Sequence, residues 1–467
     1  MNRTFGLNTT IAIVIGGIIG SGIFMKPALM GAQLGAPLVL LSVWIVAGII
    51  TLCGALSNSE VATMFPETGG QYVFFQKMYG DAFAFVYAWA AFAVFNTAGV
   101  ASIGYVFSTY ANYLIALPKF SPKIEHAISF YLPFIGNFFP LENFGVKLLT
   151  ILLVVILTSL NYFSTKQGGK LQRFVTLLNA GAIALLAFGL LFSGKGDTKN
   201  IVTNAHTMPS GWAMINAYMA ALAGAFWAYD GWNNITFVAG EIKNPQKNIP
   251  KSLFWGLSFC IIIYALVNLA YVYVLPIEKL AASSFVASDA AASVWLVSGG
   301  SVIALMIMVS TLGSTNANVL AVSRVTFAMG AENKFFSWAN KTQPRYNTPG
   351  NALILNGIWT CILILSGSFD MLTDMLIFVS WFFYGMSILG VFILRVKMPD
   401  IPRAYKVWGY PIVPAFFVAF TALFLLSTLY TDVMNYKNGT APIINSLFGI
   451  LITCVGIPVY FFGKIKN

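Results

Sequence analysis

With 467 residues, 58% of them hydrophobic and only 9% charged, the chain carries too little polar surface to be wetted on all sides, since a soluble protein has about 25% charged residues. Its mean hydropathy of +0.78 agrees, and the apolar runs are long and continuous, which excludes a β-barrel in favour of membrane-crossing helices. The formal net charge of +11 does not mean nucleic acid: with the N-terminus inside, roughly 18 of the 26 Lys and Arg fall on inner ends and loops, the positive-inside pattern of a polytopic membrane protein.

A crossing needs about 20 apolar residues, and on that rule the chain reads as about twelve transmembrane helices with both termini in the cytoplasm. The first span, near 8–30, lacks a small-residue cleavage site and is read as retained, not as a signal peptide. Spans near 38–60 and 82–115 follow, then an outer loop at about 118–145, then 146–163 and 172–193. After a second outer stretch come 211–239, 252–275, 293–328, 350–367, 371–395, 410–430 and 442–463. Cys53, Cys260, Cys361 and Cys454 all fall inside spans, so no disulfide framework is expected. The basic cluster at 395–406 (Arg395, Lys397, Arg403, Lys406) and the one at 324–345 face the inner leaflet, where attraction to anionic headgroups explains them.

Two spans are interrupted. The first contains "GGIIGSGIF" (16–24), with Gly16, Gly17, Gly20 and Gly22 where hydrocarbon would be. The sixth contains "AFWAYDGWNN" (225–234), preceded by Gly224 and broken by Asp230, Gly231, Asn233 and Asn234. Close helix packing is the plainer use of small residues. Paired interruptions at matched positions of two five-helix halves point instead to an inverted-repeat transporter with a site at mid-membrane. Unwinding frees N–H groups at the start of one half-helix and C=O groups at the end of the other. The first suit a carboxylate and the second an ammonium, so one site offering both matches a zwitterion such as an amino acid. Gly20 and Gly22 then let the ligand reach main chain, and the Ser21 hydroxyl can donate to the same carboxylate. Asp230 is the carboxylate placed deep in a span. Either it caps the second half of its helix, the favoured reading, or it binds a cation or proton. Trp227 is large enough to lie over a small ligand, although an aromatic in a membrane helix can equally be packing.

Read together, these stretches resemble the amino acid–polyamine–organocation (APC) superfamily, and more closely its L-type amino acid transporter branch, with bacterial serine/threonine and alanine–serine–cysteine exchangers nearest in pattern. "IIGSGIF" (18–24) is similar to the helix 1 signature and "FWAYDGWNNITFVAGEIKNPQKNIP" (226–250) to helix 6 and its inner loop. "PETGGQYVFFQKMYG" (66–80), "RVTFAMGAENKFF" (324–336), "WFFYGMSILGVFILR" (381–395) and "MPDIPRAYKVWGYPIVP" (398–414) extend the likeness over the whole chain. The resemblance implies an all-α membrane fold of LeuT type: five plus five inverted helices, broken at 1 and 6, with two more at the end. That is a single transporter domain, with repeats at 8–193 and 211–395 and the last two helices at 410–463.

The resemblance also implies site residues. Ile18, Ile19, Gly20, Ser21 and Gly22 would meet the amino and carboxylate groups of the substrate. Carbonyls of Trp227, Ala228 and Asp230 would take the ammonium, and Trp227 stands at the family's aromatic gate. "LNYFSTKQGGKLQ" (160–172) resembles the segment carrying a lysine, here Lys166. Its ammonium would reach broken helix 1 and helix 8, with Ser310 and Ser314 as helix 8 neighbours, and would stand in for sodium; the plainer reading makes Lys166 one of three inner-face charges with a snorkelling stem. Eukaryotic light chains of this branch bond to a heavy chain through a cysteine in the outer loop between helices 3 and 4. The loop at 118–145 has no cysteine, so no disulfide-linked heavy chain is expected.

The expected function is sodium-independent exchange of small neutral L-amino acids (Ala, Ser, Cys, Thr) by alternating access in the plasma membrane. Without an acid facing the side-chain pocket, a cationic substrate would carry an unpaired charge. The alternative is proton-coupled uptake of an amino acid or polyamine, with Asp230 or Glu60 titrating. An enzyme is not expected: His126 and His206, both in outer loops, are the only histidines, no HExxH is present and Ser21 has no visible base. No cofactor or metal is implied.

Overall fold

The structure, a computed structural model, describes residues 3–67, 69–163, 181–331, 337–346 and 348–465. Among the described residues, eight helices are long and apolar enough to cross a membrane, and one further pair joins into a bent span. That pair is α1 (Leu7–Ile18) and α2 (Gly22–Leu34), turned by 46° where they meet. α2 stops at Gly35, whose φ of +60° ends it as a left-handed C-cap, and α3 (Pro37–Met64) restarts at once with proline in its first turn. A short α4 (Gln71–Tyr79) leads into α5 (Asp81–Leu114), and α6 (Phe144–Phe163) follows the loop at 118–145. The sixth predicted span opens as α7 (Trp212–Tyr229), turns, and resumes as the single turn α8 (Asn234–Phe237). Next come α9 (Pro245–Val274), α10 (Ile277–Ala282) and α11 (Val286–Ala331). The chain closes with α12 (Gly350–Ser366), α13 (Phe369–Lys397), α14 (Ile412–Lys437) and α15 (Asn445–Ile465).

The departures from the twelve expected spans have local causes. The start of the 172–193 stretch lies outside the described residues. α12, at 17 residues, is shorter than the usual crossing. α11 is two helices joined at a kink: Trp295 (φ −113°, ψ 21°) and Leu296 (φ 61°, ψ −172°) leave helical geometry.

Packing divides the chain into two compact units, each assembled from distant stretches. The first gathers Met1–Tyr87, Ala187–Val286 and Ser380–Thr428; the second gathers Ala88–Leu186, Ala287–Val379 and Leu429–Asn467. Inside the first, α3 packs on α9, α1 on α9, and α2 on α7. Its core is rich in buried aromatics: Tyr87 and Phe383 flank Phe75, and Trp381 stacks on Phe417.

Inside the second unit, α5 carries a π-helical turn at Ala91–Asn96. The carbonyls it displaces are satisfied: Thr97 donates to Phe92 and the Trp359 indole to Ala93, each at 2.8 Å. Polar pairs join its helices: Asn161 donates to Asn316 at 2.7 Å, and Tyr105 to the Gly367 carbonyl at 2.6 Å where α12 ends. In the loop at 118–145, β1 (Phe130–Leu132) and β2 (Gly136–Phe138) form an antiparallel hairpin with Tyr131 opposite Asn137. The four cysteines are free and helical, as the sequence implies.

Candidate functional site

Both interrupted segments lie in the first unit. In the first span, α1 ends at Ile18, and Ile19 (φ −69°, ψ 102°) is extended. Ser21 is the N-cap of α2, yet its side chain makes no capping bond, and it is only 5% exposed. The break is therefore three residues, Ile19–Ser21. The Phe24 amide donates back to the Ser21 carbonyl at 3.1 Å, and the amides before it open the helix, where partners within the helix are lacking. Gly16 and Gly17, by contrast, belong to the intact part of α1.

In the sixth span, helix continues through Gly224 and Trp227 to Tyr229; the break begins only at Asp230 (φ −63°, ψ 155°). Gly231 at φ +98° reverses the chain, a conformation that L side chains resist. Asn233 is the N-cap of α8 and makes no side-chain capping bond. The capping role expected of Asp230 is thus corrected: it stands three residues ahead of that cap position. Its carboxylate accepts instead from the Tyr384 hydroxyl of α13 at 2.7 Å and from the Gly231 amide within the turn.

Main chain meets main chain between the breaks. A Cβ placed on Gly17 would lie 2.9 Å from the Gly231 carbonyl oxygen, and one on Gly231 would collide with the Gly17 carbonyl. A Cβ on Gly22 would lie 2.7 Å from Ala228 Cα. Gly17, Gly22 and Gly231 therefore owe their missing side chains to close approach of the two segments. Gly20 differs: a Cβ there would meet only the Ile18 carbonyl, at 3.8 Å, so its surroundings are open.

One hydroxyl spans both breaks. Tyr264, on α9, places its oxygen 2.9 Å from the Ile18 carbonyl and 3.0 Å from that of Ala228, and accepts from the Gly20 amide. A phenol has a single proton, so it donates to one carbonyl at a time. The tyrosine sits in a buried nest with Trp44 and Tyr229, ring centroids 5.4 and 5.1 Å away, and Tyr229 donates to the Trp44 carbonyl at 3.0 Å. Sequence reasoning missed Tyr264. One aromatic among many in an apolar span carries no mark, and only the fold aims its hydroxyl at the breaks.

A polar frame from α3 and α13 holds the sixth-span break. Asn58 of α3 donates to the Asn233 side chain at 3.0 Å and accepts from Ser387 of α13 at 2.8 Å. About two turns further along α13, Arg395 grips Glu60 with two bonds of 2.9 and 2.7 Å. Arg403 stands 3.3 Å from the same carboxylate, and the Val407 amide donates to it at 2.8 Å. The Arg395 guanidinium lies 3.5 Å over the Tyr410 ring. Glu60, 1% exposed, is thus fully engaged by two arginines and an amide, the satisfied form that a buried carboxylate requires.

Of the residues expected at the site, Ile18, Ile19, Gly20, Ser21, Gly22, Trp227, Ala228 and Asp230 come together within one unit. The Trp227 carbonyl accepts the Asp230 amide at 3.2 Å, and the Ala228 carbonyl is the one Tyr264 meets. Ser310, 2% exposed, and Ser314, whose carbonyl accepts from Asn318 at 2.9 Å, lie one turn apart on α11 in the other unit. Lys166 lies outside the described residues.

Residues 5–457 match the family model described as amino acid permease. The chain is 32% identical over 466 residues to the serine/threonine exchanger SteT of Bacillus subtilis (strain 168), covering 99% of this chain and 97% of that one. It is 30% identical over 463 residues to the human cystine/glutamate transporter, with 99% and 85% covered. Against the mouse large neutral amino acids transporter small subunit 2 it is 29% identical over 469 residues, with 99% and 81% covered.

Proposed function

The chain belongs to the amino acid permease family of the APC superfamily, and from that premise we propose that it is a sodium-independent exchanger of small neutral L-amino acids, Ala, Ser, Cys and Thr among them. Membership makes it a multi-pass membrane transporter and not an enzyme. The observation that carries the finer reading is the meeting of two helix breaks in one packing unit, with a shared hydroxyl across their carbonyls. Amides opening α2 suit a carboxylate, and carbonyls closing α7 suit an ammonium, so the arrangement supports recognition of a zwitterion by main-chain dipoles. Exchange is supported by likeness to a protein named as an exchanger, with almost complete mutual coverage. Twelve spans in two inverted halves, with both termini cytoplasmic, complete the proposal. With no cysteine in the outer loop at 118–145, the transporter works without a disulfide-linked heavy chain.

The decisive experiment is exchange in liposomes holding the purified protein and labelled serine. Unlabelled serine outside should accelerate efflux at least tenfold, with sodium or without. Accumulation driven by a pH gradient alone would establish the proton-coupled alternative, which now rests on Asp230 because Arg395 and Arg403 occupy Glu60. Lys166→Ala should cripple exchange while the protein still inserts; wild-type rates would reduce Lys166 to an ordinary inner-face charge.

A further inference from the structure

Lys26 is fully buried, in a segment that the sequence places inside the first span. It sits one turn beyond Gly22, on the flank of α2 that packs against α7. The register is antiparallel: Gly22 faces Ala228, and four residues on, Lys26 faces Gly224. The lysine stem runs alongside Gly224, with Cδ 3.4 Å from where a Gly224 Cβ would stand, an ordinary van der Waals contact. Its Nζ ends 6.0 Å from the centre of the Trp227 ring, within range of an attractive contact between a cation and an indole face. A charge buried in a membrane segment is costly and rarely kept without use. Here it stands beside the aromatic that borders the sixth-span break. On the far side of Trp227 along the chain, Asp230 has its carboxylate bonded to Tyr384.

We propose that Lys26 is a specificity-determining residue, whose positive charge beside Trp227 turns away substrates with cationic side chains and admits neutral and anionic ones. The inference rests on the amino acid exchange proposed above and deepens it. A cationic side chain brought against the far face of Trp227 would stand roughly 10 Å from the ammonium, 6.0 Å of it to the ring centre and about 4 Å of contact beyond; two like charges at that distance, in an effective dielectric of about 20, disfavour each other about fifteenfold. Whatever further groups the ammonium meets, Lys26→Met lowers the local charge by one unit at nearly constant volume, and Lys26→Arg keeps it.

The test uses liposomes loaded with labelled serine and challenged outside with serine, arginine or glutamate. Wild-type protein should respond to serine and hardly to arginine. Lys26→Met should raise the arginine-to-serine ratio tenfold or more and lower the glutamate-to-serine ratio, while Lys26→Arg keeps both. General damage to folding would scale all three substrates together and leave the ratios fixed. Wild-type protein that accepts arginine as readily as serine overturns the inference with no variant needed, as does an unchanged ratio in Lys26→Met. If no amino acid elicits efflux from wild-type protein, the exchange reading itself fails, a separate result.

Discussion

The two breaks differ in how they are held. The one at Ile19–Ser21 is made of main chain, without a capping side chain, and the Tyr264 hydroxyl is its anchor from α9. The one at Asp230–Asn233 is rich in side chains, and two of them are tied to neighbouring helices: Asp230 to Tyr384 of α13 and Asn233 to Asn58 of α3. Buried polar networks that are fully satisfied specify one arrangement, whereas a stretch that meets its neighbours through main-chain groups can exchange one such bond for another of equal worth. The difference teaches that the sixth-span break is the fixed wall of the proposed site and the first-span break the adaptable one. On that proposal, binding and release would be events of Ile19–Ser21.

The largest expected effect lies in the frame behind the fixed wall. Glu60→Ala leaves Arg395 and Arg403 facing a cavity with no carboxylate, and breaking a buried ion pair from one side costs about 3–5 kcal/mol. Thermal unfolding in detergent should show a drop of many degrees, with transport lost along with the folded protein. A melting temperature within a degree or two of wild type would mean that the sixth-span break stands without its frame, and the contrast between the breaks would lose its basis.

Next comes Gly22→Ala. The new methyl would lie 2.7 Å from Ala228 Cα, a backbone atom that cannot rotate away, so α2 and α7 must part. Overpacking of this kind costs about 1–3 kcal/mol. Folded yield and melting temperature should fall, and substrate affinity should fall further because both breaks shift. Unchanged affinity would show that the close approach of the two segments has no bearing on the site.

How much of this was legible in the sequence follows from the same chemistry. Gly, Ser, Asp and Asn interrupt apolar runs visibly, so both breaks could be found, and the eight residues expected at the site lie in one unit. Their limits were less visible. Gly224 and Gly17 look like helix breakers, yet each lies in intact helix: the missing Cβ of Gly17 admits Gly231, while Gly224 lies in ordinary contact with the Lys26 stem. The role of Asp230 was misread because capping is a local rule, while Tyr384 lies 154 positions away and competes successfully for the carboxylate. Lys26 did carry a signal, a charge inside the span predicted at 8–30, but its meaning depended on which residue of α7 it faces.

Tyr264→Phe should have a moderate effect with a particular shape. The ring and its nest with Trp44 and Tyr229 remain, so stability should fall by only about 1 kcal/mol, the ordinary worth of a buried hydrogen bond. The Ile18 and Ala228 carbonyls lose a donor and the Gly20 amide an acceptor, so the adaptable break loses its anchor. The concentration for half-maximal exchange should rise about tenfold, with a smaller change in maximal rate. A variant that lost rate and affinity in proportion to folded protein would make Tyr264 a packing residue only.

The smallest effect on the fold, and the sharpest on the comparison, is expected of Gly20→Ala. A Cβ at this position has no neighbour closer than the Ile18 carbonyl at 3.8 Å. The substitution should leave the melting temperature almost unchanged, since alanine also restricts the unfolded chain slightly more than glycine does. The methyl would nevertheless stand in the open space beside the break, where the proposed ligand lies against main chain. Affinity for serine should fall severalfold, and alanine, with the smaller side chain, should suffer less. Gly22→Ala damages fold and binding together; Gly20→Ala should separate them. If Gly20→Ala binds and exchanges serine like wild type, the backbone of the first-span break is not where the substrate rests, and the adaptable element must be sought in the side chains around Trp227 instead.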